Sequence, residues 1–273
     1  MCDHCGCGLP TGSPAVVSGA DPHPDDHGHD HPHHEHGEGH SHGQGAEERQ
    51  TVELRRAILE KNDRLAERNR GFLRARGVLV LNVLSSPGSG KTTLIGETIR
   101  RLGQRLKTAV IAGDLATDND AHRLRESGAQ VIQINTGTVC HLEAEMVARA
   151  LKQLDMTGLE LIIIENVGNL VCPASYDLGE DLRVVLLSVT EGEDKPLKYP
   201  PIFHAANAVI VSKIDLAKAC DFNRETATAN IRHIAHHAQM FEISAKTGTG
   251  LDEWCSYLVQ QHEAAKKRDP LAS

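Results

Sequence analysis

The stretch VLVLNVLSSPGSGKTTL at residues 78–94 restricts the fold more than any other part of the chain. A run of branched apolar residues, interrupted only by Asn82, suits a strand buried on both faces, the environment of a parallel sheet covered by helices. The run passes without a linker into a Gly-rich turn and then into residues that favour a helix. A phosphate-binding loop requires that order, because backbone N–H groups at a helix N-terminus favour anions. Gly88 and Gly90 let the amides around Ser89 turn toward phosphate oxygens. Lys91 is placed to reach the terminal phosphates, and the hydroxyl of Thr92, with Thr93 beside it, to hold Mg²⁺. The usual pattern opens with Gly; Ser85 stands there instead, while the core GSGKTT is intact.

Further apolar runs at 108–112, 130–134, 159–164, 183–189, 208–212 and 240–243 predict six more strands. Amphipathic stretches at 91–106, 140–154, 223–237 and 251–265 predict helices between most of them. Such alternation implies an α/β fold with a mainly parallel central sheet flanked by helices, here residues 77–273. Ahead of it, residues 47–76 predict an amphipathic helix with Leu54, Ile58, Leu65 and Phe72 on one face and Gly77 as its stop.

Residues 1–46 differ in kind. Gly, Pro, His and Asp dominate, and the segment is expected to be disordered without metal. It opens MCDHCGCG, with thiols at Cys2, Cys5 and Cys7. Nine histidines follow, His23, His27, His29, His31, His33, His34, His36, His40 and His42, interleaved with Asp, Glu, Gly and Pro. No Lys or Arg precedes Arg49, whereas nine Asp and Glu do, so residues 1–48 carry about −9 against a net −8 for the whole chain. The remainder is close to neutral. Neither part has the basic excess of a nucleic-acid binder, and an acidic, histidine-rich tail suits divalent cations. No run of 18 apolar residues suggests a membrane span. No secretory signal is visible, and seven cysteines is an odd number. The expected setting is the reducing cytoplasm, with the thiols acting as metal ligands or core residues.

The run LELIIIENVG supplies a second carboxylate. Glu165 ends a buried strand, where it would hold Mg²⁺, and the amide of Gly168 would sense the γ phosphate. Asp114, in AGDLATDND, is either another candidate carboxylate, in a switch segment, or a helix N-cap. The base is suggested by VSKIDL at 211–216. Lys213 and Asp215 match the guanine-reading Asn-Lys-x-Asp pattern, with Ser212 in place of Asn. Ser244, Ala245 and Lys246 in EISAKTGTG match its companion loop, so the sequence favours GTP over ATP.

Taken together, CDHCGC, the histidine tract, SSPGSGKTT, GDLATDNDAHRL, INTGTVCHLEAEMV, ENVGNLVCPA and VTEGEDKPLKYP resemble the nickel-incorporation GTPases of hydrogenase maturation, the HypB family. The likeness spans nearly the whole chain. It implies a P-loop GTPase that forms a homodimer with GTP and delivers Ni(II) to the hydrogenase large subunit with a second accessory protein. It also assigns ligands. Cys140, His141 and Cys172 would form a Ni(II) or Zn(II) site of the GTPase domain at the dimer interface. Cys2, Cys5 and Cys7 would form an N-terminal nickel site, and the histidine tract a weak store. Lys195 and Lys198 would reach phosphates or carboxylates across the dimer, whereas Cys220 and Cys255 match no motif and are read as structural. A urease-type nickel GTPase and a metal store with a regulatory GTPase domain remain as alternatives.

Overall fold

The computed structural model describes residues 44–113, 123–137 and 139–268. Contacts divide the chain into two compact units, residues 1–57 and 58–273. Described in the first are the opening turns of a helix that runs Gln44–Arg74. The tail ligands Cys2, Cys5 and Cys7 and the nine histidines from His23 to His42 lie outside the described residues, as does Asp114.

The second unit is built on seven strands: β1 Leu79–Ser85, β2 Thr108–Ala112, β3 Gln130–Gln133, β4 Leu161–Glu165, β5 Leu182–Ser188, β6 Ala208–Ser212 and β7 Gln239–Ile243. They form one sheet in the order β3-β2-β4-β1-β5-β6-β7, and every pair is parallel. All seven strands lie on or within two residues of the predicted runs. Strand β1 sits between β4 and β5, where the chain's direction of travel across the sheet reverses. Ligands of such sheets bind outside the carboxyl ends of the strands at that reversal.

Alternate residues of the strands feed two apolar layers. Leu79, Leu81 and Val83 face the helices Lys91–Leu102 and Leu251–Arg268, with Trp254 and Leu258 in the same layer. On the opposite face Val78, Val80 and Ile162 meet Leu73 of the first helix and Val147 of the helix Ala144–Leu151. The rest of that face is covered around Phe203 and Ile231.

Three expectations are corrected. The first helix does not bury Leu54 and Phe72, which are 59% and 39% exposed; it buries Asn62, Ala66, Asn69 and Leu73 instead. The reason is hydrogen bonding. Asn62 donates to the Asp177 carbonyl at 2.7 Å and accepts from the Ala144 amide at 2.9 Å. Asn69 donates to the carbonyls of Ala144 at 2.9 Å and Leu178 at 3.2 Å. These are backbone groups of a helix start and of the loop at 177–178, so polar side chains that bind them hold the face that periodicity assigned to leucine. Asn69→Ala is expected to cost about 1–3 kcal/mol in urea unfolding, since it removes two buried hydrogen bonds; an unchanged midpoint would refute that role.

The helix predicted over 140–154 begins only at Ala144, because Cys140 and His141 belong to the loop before it. Cys255 is fully buried, and burial pushes its thiol pKa up to about 11. Cys220 instead lies exposed in a turn, outside any helix or core.

Candidate nucleotide and metal sites

Strand β1 delivers the phosphate loop to the carboxyl edge of the sheet. Gly88 and Gly90 take φ of 73° and 94°, backbone that L side chains rarely adopt, and this lets the loop wrap before the helix begins at Lys91. The ammonium of Lys91 is buried and donates to Ser85 Oγ at 3.2 Å. The residue that departs from the usual Gly therefore seats the lysine. Thr92 Oγ1 donates to Glu165 Oε1 at 2.5 Å, which joins the helix start to the end of β4. Gly168 follows three residues later in the loop after β4.

The segment after β5 braces this loop in a way the sequence did not reveal. Ser89 Oγ contacts Glu191 Oε1 and donates to the Ser86 carbonyl at 2.8 Å. Lys195 Nζ lies 3.4 Å from Ser86 Oγ and 3.6 Å from Glu191 Oε2, while Lys198 pairs with Asp194 at 2.5 Å. Within one chain, then, Lys195 faces the phosphate loop and Lys198 does not. Glu191 stands in VTEGEDKP, and only the adjoining β5 run hinted at its location.

The base side is a cavity of about 200 Å³ lined by Gly90, Thr93, Leu94, Ser212, Lys213, Asp215, Ala245 and Lys246, among others. Ser212 Oγ donates to the Ser89 carbonyl at 2.9 Å, so the residue replacing Asn ties β6 to the phosphate loop. Lys213, at φ 59°, donates to the Gly88 carbonyl at 2.6 Å and covers one wall. Asp215 Oδ1 accepts from Ser244 Oγ at 2.6 Å, which aims its carboxylate from the companion loop. Residues from the ends of β1, β4, β6 and β7 thus converge on one crevice.

A second cluster lies beyond the loop that follows β4. One ligand atom from each of Cys140, His141 and Cys172 falls within 4.8 Å of the others, the only such group found among the described residues. The two sulfurs are 2.9 Å apart. His141 is 7% exposed and stacks on Tyr176 with ring centroids 3.8 Å apart. Neither of its ring nitrogens has a hydrogen-bond partner among the described residues. Burial lowers its pKa, opposed by Glu143, whose carboxylate is 3.8 Å from Nε2. A neutral imidazole beside two thiols is the donor set that Ni(II) and Zn(II) accept, and three ligands leave a coordination position open.

The relatives share this arrangement's ancestry. Residues 79–242 match the model of the CobW/HypB/UreG nucleotide-binding domain. The hydrogenase maturation factor HypB of Escherichia coli K12 is 49% identical over 226 residues, which cover 83% of this chain and 78% of that protein. The chain belongs to the HypB family of hydrogenase maturation factors. Helicobacter pylori has a relative named hydrogenase/urease maturation factor HypB, 42% identical over 215 residues, covering 77% of this chain and 88% of its own length. The crystal structure of H. pylori HypB in complex with nickel superposes with a TM-score of 0.71 at 41% identity, covering 75% of this chain and 96% of that one. Membership of this P-loop GTPase family accords with the crevice at the strand ends. Among the described residues, no helix is long and apolar enough to cross a membrane.

Proposed function

We propose that the chain is a cytoplasmic, Mg²⁺-dependent GTPase that binds Ni(II) and releases it for assembly of a nickel–iron hydrogenase, acting as a homodimer when GTP is bound. The observation that carries this reading is the short chain between two sites. Glu165 closes the nucleotide crevice, and Cys172, seven residues on, enters the Cys140–His141 cluster. Nickel is the cargo of this protein, and Zn(II) is a competitor for the same thiols. Partners in this reading are the hydrogenase large subunit and a second accessory protein. The tail thiols Cys2, Cys5 and Cys7 and the histidine tract would gather metal upstream of the cluster.

Lys91 would neutralise phosphate charge, and Thr92 and Glu165, with Asp114 as a further candidate, would offer the hard oxygens that Mg²⁺ prefers. The amides of Gly88–Thr93 would cradle phosphates, and that of Gly168 would sense the terminal one. Bound Mg²⁺ supplies charge neutralisation between the phosphates. Hydrolysis is expected to be slow, since a switch needs lifetime more than turnover. Asp215 would accept two hydrogen bonds from guanine, with Lys213 over the ring and Ser244–Lys246 closing the edge. Asp215→Asn is therefore expected to weaken GTP binding about 100-fold, two charge-assisted hydrogen bonds being lost. The same variant should gain affinity for xanthosine triphosphate, whose edge presents an acceptor to the amide. Equal GTP affinity in wild type and variant would remove the guanine assignment.

The decisive experiment measures hydrogenase activity in cells lacking the gene, complemented with wild type or Lys91→Ala, with and without added nickel. Activity lost, recovered with nickel and restored only by wild type supports the proposal. Full activity in the deletion strain defeats it. The name of the H. pylori relative favours one second reading, service to urease, and urease activity in the same strains tests it.

A further inference from the structure

Among the described residues, the loop between Glu165 and Tyr176 runs from the nucleotide crevice to the cysteine cluster, and a buried polar assembly holds it at each end. At its start, the Asn166 amide donates to the Val83 carbonyl at 3.1 Å, and the Asn166 side chain donates to Asn82 Oδ1 at 3.1 Å. Asn166 also accepts from the Val167 amide at 2.9 Å. At its far end, the Arg183 guanidinium donates to the carbonyls of Ala174 at 3.2 Å and Tyr176 at 3.1 Å. The two anchors meet on one carboxylate. Glu180 accepts from Asn82 Nδ2 at 3.3 Å, from Arg183 Nε at 2.6 Å and from the Leu178 amide at 2.7 Å.

This assembly is out of water. Asn82 and Asn166 are 0% and 1% exposed, and the Glu180 side chain is 3% exposed. Buried ion pairs are poor stabilisers compared with apolar residues of similar volume. Stability alone therefore gives no reason for Glu180 and Arg183 at these positions. Their contacts give another: they fix the two ends of one loop to the sheet. The chain between them carries Gly168, three residues after Glu165, and Asn169, whose Nδ2 lies 3.4 Å from the Cys140 carbonyl. It ends at Cys172. Tyr176, held by Arg183, in turn stacks on His141.

We infer that Glu180, acting through Asn82 and Arg183, holds both ends of the 166–176 loop to the sheet, so that a displacement imposed at Gly168 by nucleotide reaches Cys172 instead of being absorbed along the loop. Glu180, Asn82 and Arg183 are positioning residues: none touches nucleotide or metal. The inference rests on the proposed reading that the two sites act together. It adds the identity of the part that makes them do so.

The test compares nickel affinity between nucleotide states. The full chain carrying Cys2→Ala, Cys5→Ala and Cys7→Ala is titrated with nickel sulfate and followed by thiolate-to-nickel charge-transfer absorption, which the histidines do not produce. Affinity is measured with Mg²⁺ and GDP and with Mg²⁺ and a non-hydrolysable GTP analogue. In this background the ratio of the two affinities differs from one. Asn82→Ala and Arg183→Lys are then added singly; the lysine keeps the charge beside Glu180 but loses the fork to the two carbonyls. Each is expected to bring the ratio to within about twofold of one, while nickel affinity without nucleotide and GDP affinity stay within about threefold of the starting protein. A purely structural residue would shift the melting temperature and leave the ratio alone. An unchanged ratio in either folded variant overturns the inference. A ratio of one in the starting protein instead overturns the coupled-site reading beneath it.

Amide hydrogen exchange on the unsubstituted chain gives a second measurement that needs no variant. Protection is expected to differ between GDP and analogue at 167–172 and to stay the same at 178–183. A change at 178–183 would mean that the clamp itself moves, and would overturn the inference as well.

Discussion

Alanine at position 91 is expected to lower kcat for GTP hydrolysis by about two to three orders of magnitude, the effect of deleting one preorganised donor to transition-state charge. The geometry explains why no neighbour substitutes. The Lys91 ammonium is buried against Ser85, and Lys213 and Lys195, two other cations near the loop, are occupied with the Gly88 carbonyl and with Ser86 and Glu191. Both reach the loop from the base and β5 sides, whereas Lys91 starts the helix that carries Thr92. Single-turnover hydrolysis with saturating GTP is the measurement. A fall of less than about tenfold would show that the phosphate charge is met elsewhere.

The second large effect is on metal. Cys172→Ser is expected to lower nickel affinity of the Cys140 cluster by more than the 10–100-fold typical of losing a mere supporting contact, because in the proposed reading it removes a ligand outright. Cys140→Ser does the same. His141→Ala leaves two thiols 2.9 Å apart and should shift selectivity toward ions content with sulfur alone. Nickel and zinc titrations, in the chain lacking the three tail thiols, read all three. If Cys172→Ser binds nickel as the parent does, the cluster is not the site.

The sheet was legible in the sequence because its five central strands are buried on both faces and so write mainly apolar words, from VLVLNVL to AVIVS. The phosphate loop was legible because its residues are contiguous. The first helix was misread at its face because the rule that apolar residues point inward fails where a helix must satisfy loop backbone; Asn62 and Asn69 look like surface residues until Ala144, Asp177 and Leu178 are seen beside them. The metal cluster joins Cys140 and His141 to a cysteine more than thirty positions away, so spacing alone gave no reason to group them, and only family likeness did. Glu180 and Arg183 were invisible for a related cause. A charged pair just before and at the start of β5 reads as a solvated strand edge, yet the Glu180 side chain is 3% exposed and Arg183 17%.

The place of β1 in the sheet also governs how the chain is made. Both of its partners, β4 and β5, are encoded later, and β4 is complete only at Glu165, about eighty residues after Ser85. At synthesis rates of about 5–20 residues per second, roughly 4–16 s pass before the first of them leaves the ribosome. Through that interval VLVLNVL has neither neighbour, and an unpaired apolar strand is a template for pairing with other chains. Nascent chains therefore depend on sheltering chaperones far more than the finished protein does. Slow codons placed between residues 86 and 160 should lower the yield of folded protein while leaving its sequence, and its activity per molecule, unchanged.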